Sequence, residues 1–244
     1  MTPGRRFGRP HHHFAEIDST NERARAMAMD GAASGTVVTA SSQTAGRGRQ
    51  GRRWSAPPDS ALLYSAILRP LSLEHLMLPL AVPIAVCEAC EKLAPVECKI
   101  KWPNDIWLDE HKLGGVLIEA RPPEWAVIGV GVNVSIEPDE FPDDLRWPAA
   151  SLGHGTTSNE LRKALDERLG KWVEADERKV REAFAQRDAL RGRPISWEGG
   201  PDGGKGIDRR GFADGIDEKG NLIVRGDGGE AVSLGSGEVH LRLL

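Results

Sequence analysis

The sequence predicts an α+β fold: a mixed, mostly antiparallel sheet with helices packed on it, followed by a small all-β module. Two observations predict it. Strand-like apolar runs adjoin one another through residues 1–189, with few helices between them, which disfavours a repeated βαβ pattern. Beyond Leu190, 14 of the 28 glycines are crowded into the last 54 residues, among short alternating runs broken by turn signals. A boundary near Ala189 therefore divides the chain into 1–189 and 190–244.

The elements follow in order. Residues 21–29 read as a short helix, opened by a Ser19-x-x-Glu22 capping box. Strands are predicted at 36–40 and 62–68. A helix lies within 72–93, where Pro79 and Pro83 leave its start open. Strands at 96–102, 105–108, 113–120 and 125–134 complete the sheet. Residues 158–190 place Leu161, Leu165, Leu169, Trp172, Val173, Val180 and Phe184 at helical spacing behind a Thr157-x-x-Glu160 capping box. The runs at 193–197, 211–216, 221–224, 232–234 and 239–243 read as a small antiparallel barrel or sandwich.

Composition narrows the function. The 244 residues carry 32 Lys+Arg against 36 Asp+Glu, a formal charge of -4, which argues against general affinity for nucleic acid or membrane surfaces. The longest near-apolar run, 76–87, holds two prolines and falls short of the roughly 20 residues of a spanning helix. The arginine-containing N-terminus lacks the apolar stretch of a secretory signal. Three cysteines, an odd number, fit a reducing compartment. A soluble, cytoplasmic protein is the expectation.

The most informative segment is 43–54, QTAGRGRQGRRW. Its Gly46-x-Gly48-x-x-Gly51 spacing matches a dinucleotide fingerprint formally, yet those glycines should open a helix, and here Trp54-Ser55-Ala56-Pro57-Pro58 follows. What remains is a flexible loop with arginines at 47, 49, 52 and 53. Such a loop suits a polyphosphate, whose oxygens match guanidinium forks. A nucleic-acid backbone or a merely solvated loop stays open at this point.

Other segments are individually ambiguous. Lys112 begins an apolar strand and precedes the bare Gly114-Gly115; it either snorkels or aims at an anion. Gly129 and Gly131 alternate with β-branched residues, which suits close ligand or backbone approach, or a packing bulge. Asp18-Ser19-Thr20-Asn21 offers small polar groups at a helix start, where capping alone accounts for some of them. Cys87-x-x-Cys90, with Cys98 the only other thiol, reads as core rather than zinc site. The histidines show no ligand spacing, and no G-x-S-x-G elbow supports a serine hydrolase.

Together these segments resemble the biotin protein ligase family, also called biotin–[acetyl-CoA-carboxylase] ligase. The resemblance is carried by STN at 19–21, QTAGRGRQGRRW at 43–54, KWPND at 101–105, KLGGVLIE at 112–119 and GVGVNV at 129–134, in that order, and extends to the terminal SGEVHLR. It implies a catalytic domain followed by an SH3-like barrel. The chemistry implied is attack of the biotin carboxylate on the α-phosphate of ATP, then transfer of biotin from biotinyl-5′-AMP to a lysine of a biotin carboxyl carrier domain. ATP and biotin are then substrates, Mg²⁺ accompanies ATP, and the metal ligands stay unassigned.

The resemblance also assigns roles. Ser19, Thr20, Asn21 and Gln43 are expected at biotin. Arg47, Gly48 and Arg49 lie in the loop expected to order over biotin and phosphate, with Arg52 and Trp54 toward the nucleotide end. Lys112 is the expected catalytic cation, holding biotin's carboxylate and the α-phosphate of ATP together, aided by Arg47 and Arg49. Gly114, Gly115 and Gly131 would floor the pocket, and Asn104 and Asn133 would contact the nucleotide. A second loop at 138–147 would cover adenine, with Phe141 or Trp147 as lid. With about 18 residues before Ser19, too few for a helix-turn-helix module, the ligase-only form without a DNA role is expected. A free sheet edge would allow a homodimer or docking of the carrier. The rival readings are a lipoate or octanoate ligase, a nucleic-acid-binding module using the arginine loop, and a non-catalytic biotin sensor.

Overall fold

A computed structural model of the chain describes residues 6–142, 145, 147–198, 209–226, 229–236 and 240–243. The first sheet has seven strands: β1 (His11–Ile17), β2 (Val37–Gln43), β3 (Ala61–Leu68), β4 (Lys99–Lys101), β5 (Asp105–Leu108), β6 (His111–Arg121) and β7 (Trp125–Asn133). Their order is β1-β2-β3-β7-β6-β5-β4. Only β1 and β2 pair in parallel; every other neighbouring pair in this sheet is antiparallel. This is the mixed sheet that the sequence predicts.

β1 escapes sequence reading for a physical reason. It lies at the sheet's edge, and its seven residues, HHHFAEI, are exposed or half-buried throughout. Such a strand shows no alternation of apolar and polar residues.

Each strand sends successive side chains to opposite faces. One face meets α2 (Leu78–Leu93) and α3 (Ser158–Trp172), and with α4 (Glu177–Arg187) they enclose the main core. α2 is apolar almost all round because it lies between sheet and helices. Pro79 sits in its first turn, while Pro83 is interior and forgoes a bond to the Pro79 carbonyl. The cysteines at 87, 90 and 98 are free thiols buried in this core. The single helical stretch expected over 158–190 is two helices, because Asp176 caps α4 by accepting from the Lys179 amide.

The opposite face carries α1 (Thr20–Met29), which packs Ala24 and Ala28 on Val38, Ile67, Trp125 and Val127. The capping box at Thr157 and Glu160 forms. The one expected at Ser19 does not: Ser19 makes no side-chain cap bond, and the Glu22 carboxylate turns to Arg25 and Arg47.

A second sheet holds β8 (Pro194–Glu198), β9 (Arg209–Ile216), β10 (Leu222–Gly226), β11 (Ala231–Leu234) and β12 (His240–Leu243), in the order β11-β10-β9-β8-β12, all antiparallel. It touches the first sheet through the Trp102 indole N–H, which donates to the Gly220 carbonyl at 3.1 Å. No helix among the described residues is long and apolar enough to cross a membrane.

α3 is tied to β3 by a buried polar cluster. The Tyr64 hydroxyl donates to Asp166 at 2.9 Å, and Arg162 pairs with the other carboxylate oxygen at 2.5 Å. Burial pushes the Asp166 carboxyl up to about 6 from 3.8, against the pull of its two partners. Its contribution to stability is therefore full below about pH 4 and is lost as pH rises through about 6, an effect of roughly 3 kcal/mol at 1.36 kcal/mol per unit. Urea unfolding at pH 4 and pH 7 is expected to show wild type losing that much relative to Asp166→Asn. Parallel pH profiles would remove Asp166 as the source.

Candidate functional site

A cleft opens on the α1 face of the first sheet, where β3, β6 and β7 run beneath the start of α1 and the loop at 46–54. Its floor is bare of side chains by necessity. A Cβ at Gly131 would lie 2.6 Å from the Trp54 indole, and one at Gly129 would overlap the Asn21 amide. Both glycines are thus spoken for by the protein's own side chains.

The inner end is a polar network with few free valences. Gln43 Oε1 accepts from the Thr20 amide at 2.7 Å and from its hydroxyl at 3.1 Å, so its NH₂ end is the one left for a ligand. The fully buried Ser65 hydroxyl donates to Asn21 Oδ1 at 2.6 Å and lies 2.9 Å from Thr20 Oγ1. Asn21 in turn donates to Glu119 at 2.9 Å. Ser65 and Glu119 belong to this site but went unassigned in the sequence; Ser65 stands in an otherwise apolar strand, the one signal that marked it.

The loop at 46–54 is a hairpin. Arg47 and Arg53 pair across it, Gly48 donates to the Arg52 carbonyl at 2.7 Å, and Trp54 to that of Gly46 at 3.0 Å. A Cβ at Gly46 would overlap the Trp54 carbonyl, so glycine is what lets the two legs close. The tip is a single 3₁₀ turn, Arg49–Gly51, with Gln50 left-handed at φ 55°. No helix opens here, as the context of the glycines predicted.

The outer end is cationic. Arg47, Arg49, Arg52, Arg53, Lys101 and Lys112 line the cleft, against one lining carboxylate, Asp105. Lys112 Nζ lies 2.7 Å from Asp105 Oδ1. A β-bulge brings it there: Trp107 pairs with Lys112 and Ile106 with Gly114, leaving Leu113 as the extra residue. Strict alternation would put Lys112 on the core face with Gly114. Lys101, missed by sequence reasoning although it opens the KWPND motif, is buried with its ammonium 5.0 Å from the Trp147 ring centre. Arg49 donates to the Ser236 carbonyl, so the second sheet's turn also reaches the cleft. Burial pulls the Arg49 pKa down while the Asp105 charge pulls it up; a guanidinium keeps its proton either way.

Ser19, Thr20, Asn21, Gln43, Arg47, Gly48, Arg49, Arg52, Trp54, Asn104, Lys112, Gly115 and Gly131 all line this one cleft. Two predicted residues do not. Gly114 faces the other way, where a Cβ would meet the Gly131 carbonyl at 2.7 Å and Val132 at 3.2 Å. Asn133 spends its amide on the carbonyls of Ala150, at 2.9 Å, and Lys112, at 3.4 Å. Its place is behind Lys112, whose backbone it clamps together with Pro148 and Ala150. Of the expected second loop, Trp147 lines the cleft, and Phe141 packs instead beside Ala61, Leu63 and Ile136. Positions 143, 144 and 146 of that loop, and 237–239 of the SGEVHLR segment, lie outside the described residues.

Residues 14–133 match the model of the biotin/lipoate A/B protein ligase family. The biotin--[acetyl-CoA-carboxylase] ligase of Mycobacterium tuberculosis is 32% identical over 241 residues, covering 93% of this chain and 88% of that protein. The chain belongs to the biotin/lipoate A/B protein ligase family. Within the family, the bifunctional ligase/repressor BirA of Bacillus subtilis is 39% identical over 142 residues, 56% of this chain, and the match spans 44% of that relative's length. The Aquifex aeolicus biotin protein ligase in complex with biotin and ATP has a similar structure, with a TM-score of 0.81 and 26% identity over 97% of this chain and all of that one.

Magnesium, which an ATP-using family member implies, finds no cage here. Among the described residues no cluster of three or more His, Cys, Asp or Glu suits a metal ion, and the cleft's one carboxylate is engaged by Lys112. The described residues do not fit an ion held by protein groups alone.

Proposed function

We propose that this chain is an ATP-dependent ligase that joins biotin to a lysine of a biotin carboxyl carrier domain by way of biotinyl-5′-AMP. One observation carries the reading: a buried, oriented network of amides and hydroxyls at one end of the cleft abuts six lining cations, which run from Arg47 at its border to Lys101 beside Trp147. A neutral ureido ring offers N–H and C=O groups to the network, and its acid tail and a triphosphate answer the cations. The alignment with biotin ligases over nine-tenths of the chain supports the same choice.

The residues then have distinct work. Thr20, Asn21 and Gln43 hold the ring. Arg47 and Arg49 on the hairpin bring the carboxylate and α-phosphate together against their mutual repulsion, with Arg52 and Trp54 toward the nucleotide. The Trp54 indole N–H, buried without an acceptor, has a donor to give. Lys112 offsets the charge that grows as the carboxylate oxygen bonds to phosphorus and the bond to pyrophosphate breaks. In the second step the acceptor amine attacks the acyl carbon, the bond to AMP breaks, and the ammonium loses its proton to solvent. The second sheet is read as an SH3-like module that contributes Ser236 to Arg49. β1, at the sheet edge, offers a strand for a second copy or the carrier.

A lipoyl ligase would present a dithiolane ring to the Thr20–Asn21–Gln43 network and leave those polar groups unpaired, at about 1–3 kcal/mol each. A nucleic-acid module would need its arginines on an open face, whereas Arg49 is held in the cleft. Incubation with biotin, ATP, magnesium and a carrier domain is expected to raise that domain's mass by one biotinyl group. An unmodified carrier alongside stabilisation by lipoate alone would overturn the assignment.

A further inference from the structure

Arg47 is held at the cleft by two carboxylates of the chain itself. Its guanidinium pairs with Glu22 on α1 and lies 3.5 Å from Glu119 on β6. The other oxygen of Glu119 accepts from the Asn21 amide. One carboxylate therefore joins the hairpin's first arginine to the polar network behind it. Neither glutamate lines the cleft; both stand at its rim, about a quarter exposed at 26% and 24%.

We infer that Glu22 and Glu119 are positioning residues: a docking cradle that holds Arg47 at the rim and hands it over only to a ligand carrying negative charge. The inference rests on the biotin ligase reading above. Arg47 cannot satisfy the two glutamates and an incoming carboxylate fully at once, so an acid must displace the glutamates, and a neutral analogue has no means to. Partly exposed ion pairs are weak, which keeps the exchange reversible. The cradle thus keeps the hairpin near its closed position while making closure depend on the charge that the chemistry needs.

The test compares biotin with biotinamide, in which an uncharged amide replaces the carboxylate, by titration calorimetry on the full chain. Glu22→Gln, at the surface of α1 and outside the ring network, is expected to bind biotin roughly threefold more tightly, given the weakness of such pairs, and biotinamide as wild type does. Adding Glu119→Gln, which still offers Asn21 an acceptor, should raise the preference for biotin over biotinamide further. Equal changes for both ligands, or none for either, would overturn the cradle. A wild-type chain that fails to bind biotin would instead sink the ligase reading, a result separate from these.

Discussion

Replacing Lys112 with alanine is expected to slow biotinyl-adenylate formation by roughly 100-fold or more, the cost of removing a preorganised charge from a transition state. The side chain is half-buried and aimed by three restraints: the bulge at Leu113, the ion pair with Asp105, and a backbone held on both sides. Its amide donates to the Pro148 carbonyl at 2.7 Å, and its carbonyl accepts from Ala150 at 3.0 Å. An ammonium held so firmly loses little freedom when phosphate arrives, which is what makes it effective in catalysis. Pyrophosphate release in a single turnover with saturating biotin and ATP measures the step directly. Biotin affinity should change far less than rate, because the ring network lies at the other end of the cleft. Turnover at the wild-type rate would remove Lys112 from the mechanism. A loss of rate that tracked a lost fold, read from far-ultraviolet dichroism, would also leave it without a chemical role.

The main sheet was legible because its inner strands are apolar enough to announce themselves: β3 is buried at all eight positions, and β7 alternates glycine with β-branched residues. β1 was not, since a polar edge strand pairs through its backbone and leaves no pattern in its side chains. The site divides in the same way. The hairpin's glycines and arginines, and the polar group at 19–21, advertised themselves locally. Ser65 and Glu119 did not, because their importance lies in partners 44 and 98 positions away along the chain. Gly114 and Asn133 went astray for separate reasons. Neighbouring residues of β6 face opposite sides, so Gly115 reaches the cleft and Gly114 does not, and the Asn133 amide is claimed by backbone carbonyls of Lys112 and Ala150, 21 and 17 positions away.

Gly129 carries the second large effect, and it tests whether the ring network is a unit. The sequence left Gly129 as a site of ligand approach or of packing; the structure gives the space to Asn21, whose Cγ would lie 2.8 Å from a Cβ built there. Asn21 cannot simply swing aside, since it is 95% buried under its own helix turn with Ser65 and Glu119 on either side. Gly129→Ala should therefore force the Asn21 amide out of place and strain the start of α1 against β7, while Ser65 keeps Thr20 as its acceptor. Overpacking of this kind costs about 1–3 kcal/mol. Stability should fall by about that amount, and biotin affinity by roughly 10- to 100-fold, since each 1.4 kcal/mol is a factor of ten. The double variant Gly129→Ala/Asn21→Ala separates the two losses. It removes the clash and should recover stability, yet it has no amide at position 21 and should stay weak toward biotin. Urea unfolding and calorimetric titration on the same three proteins read both quantities. If the double variant regained wild-type affinity, Asn21 would be no part of biotin recognition, and the glycine would be serving packing alone.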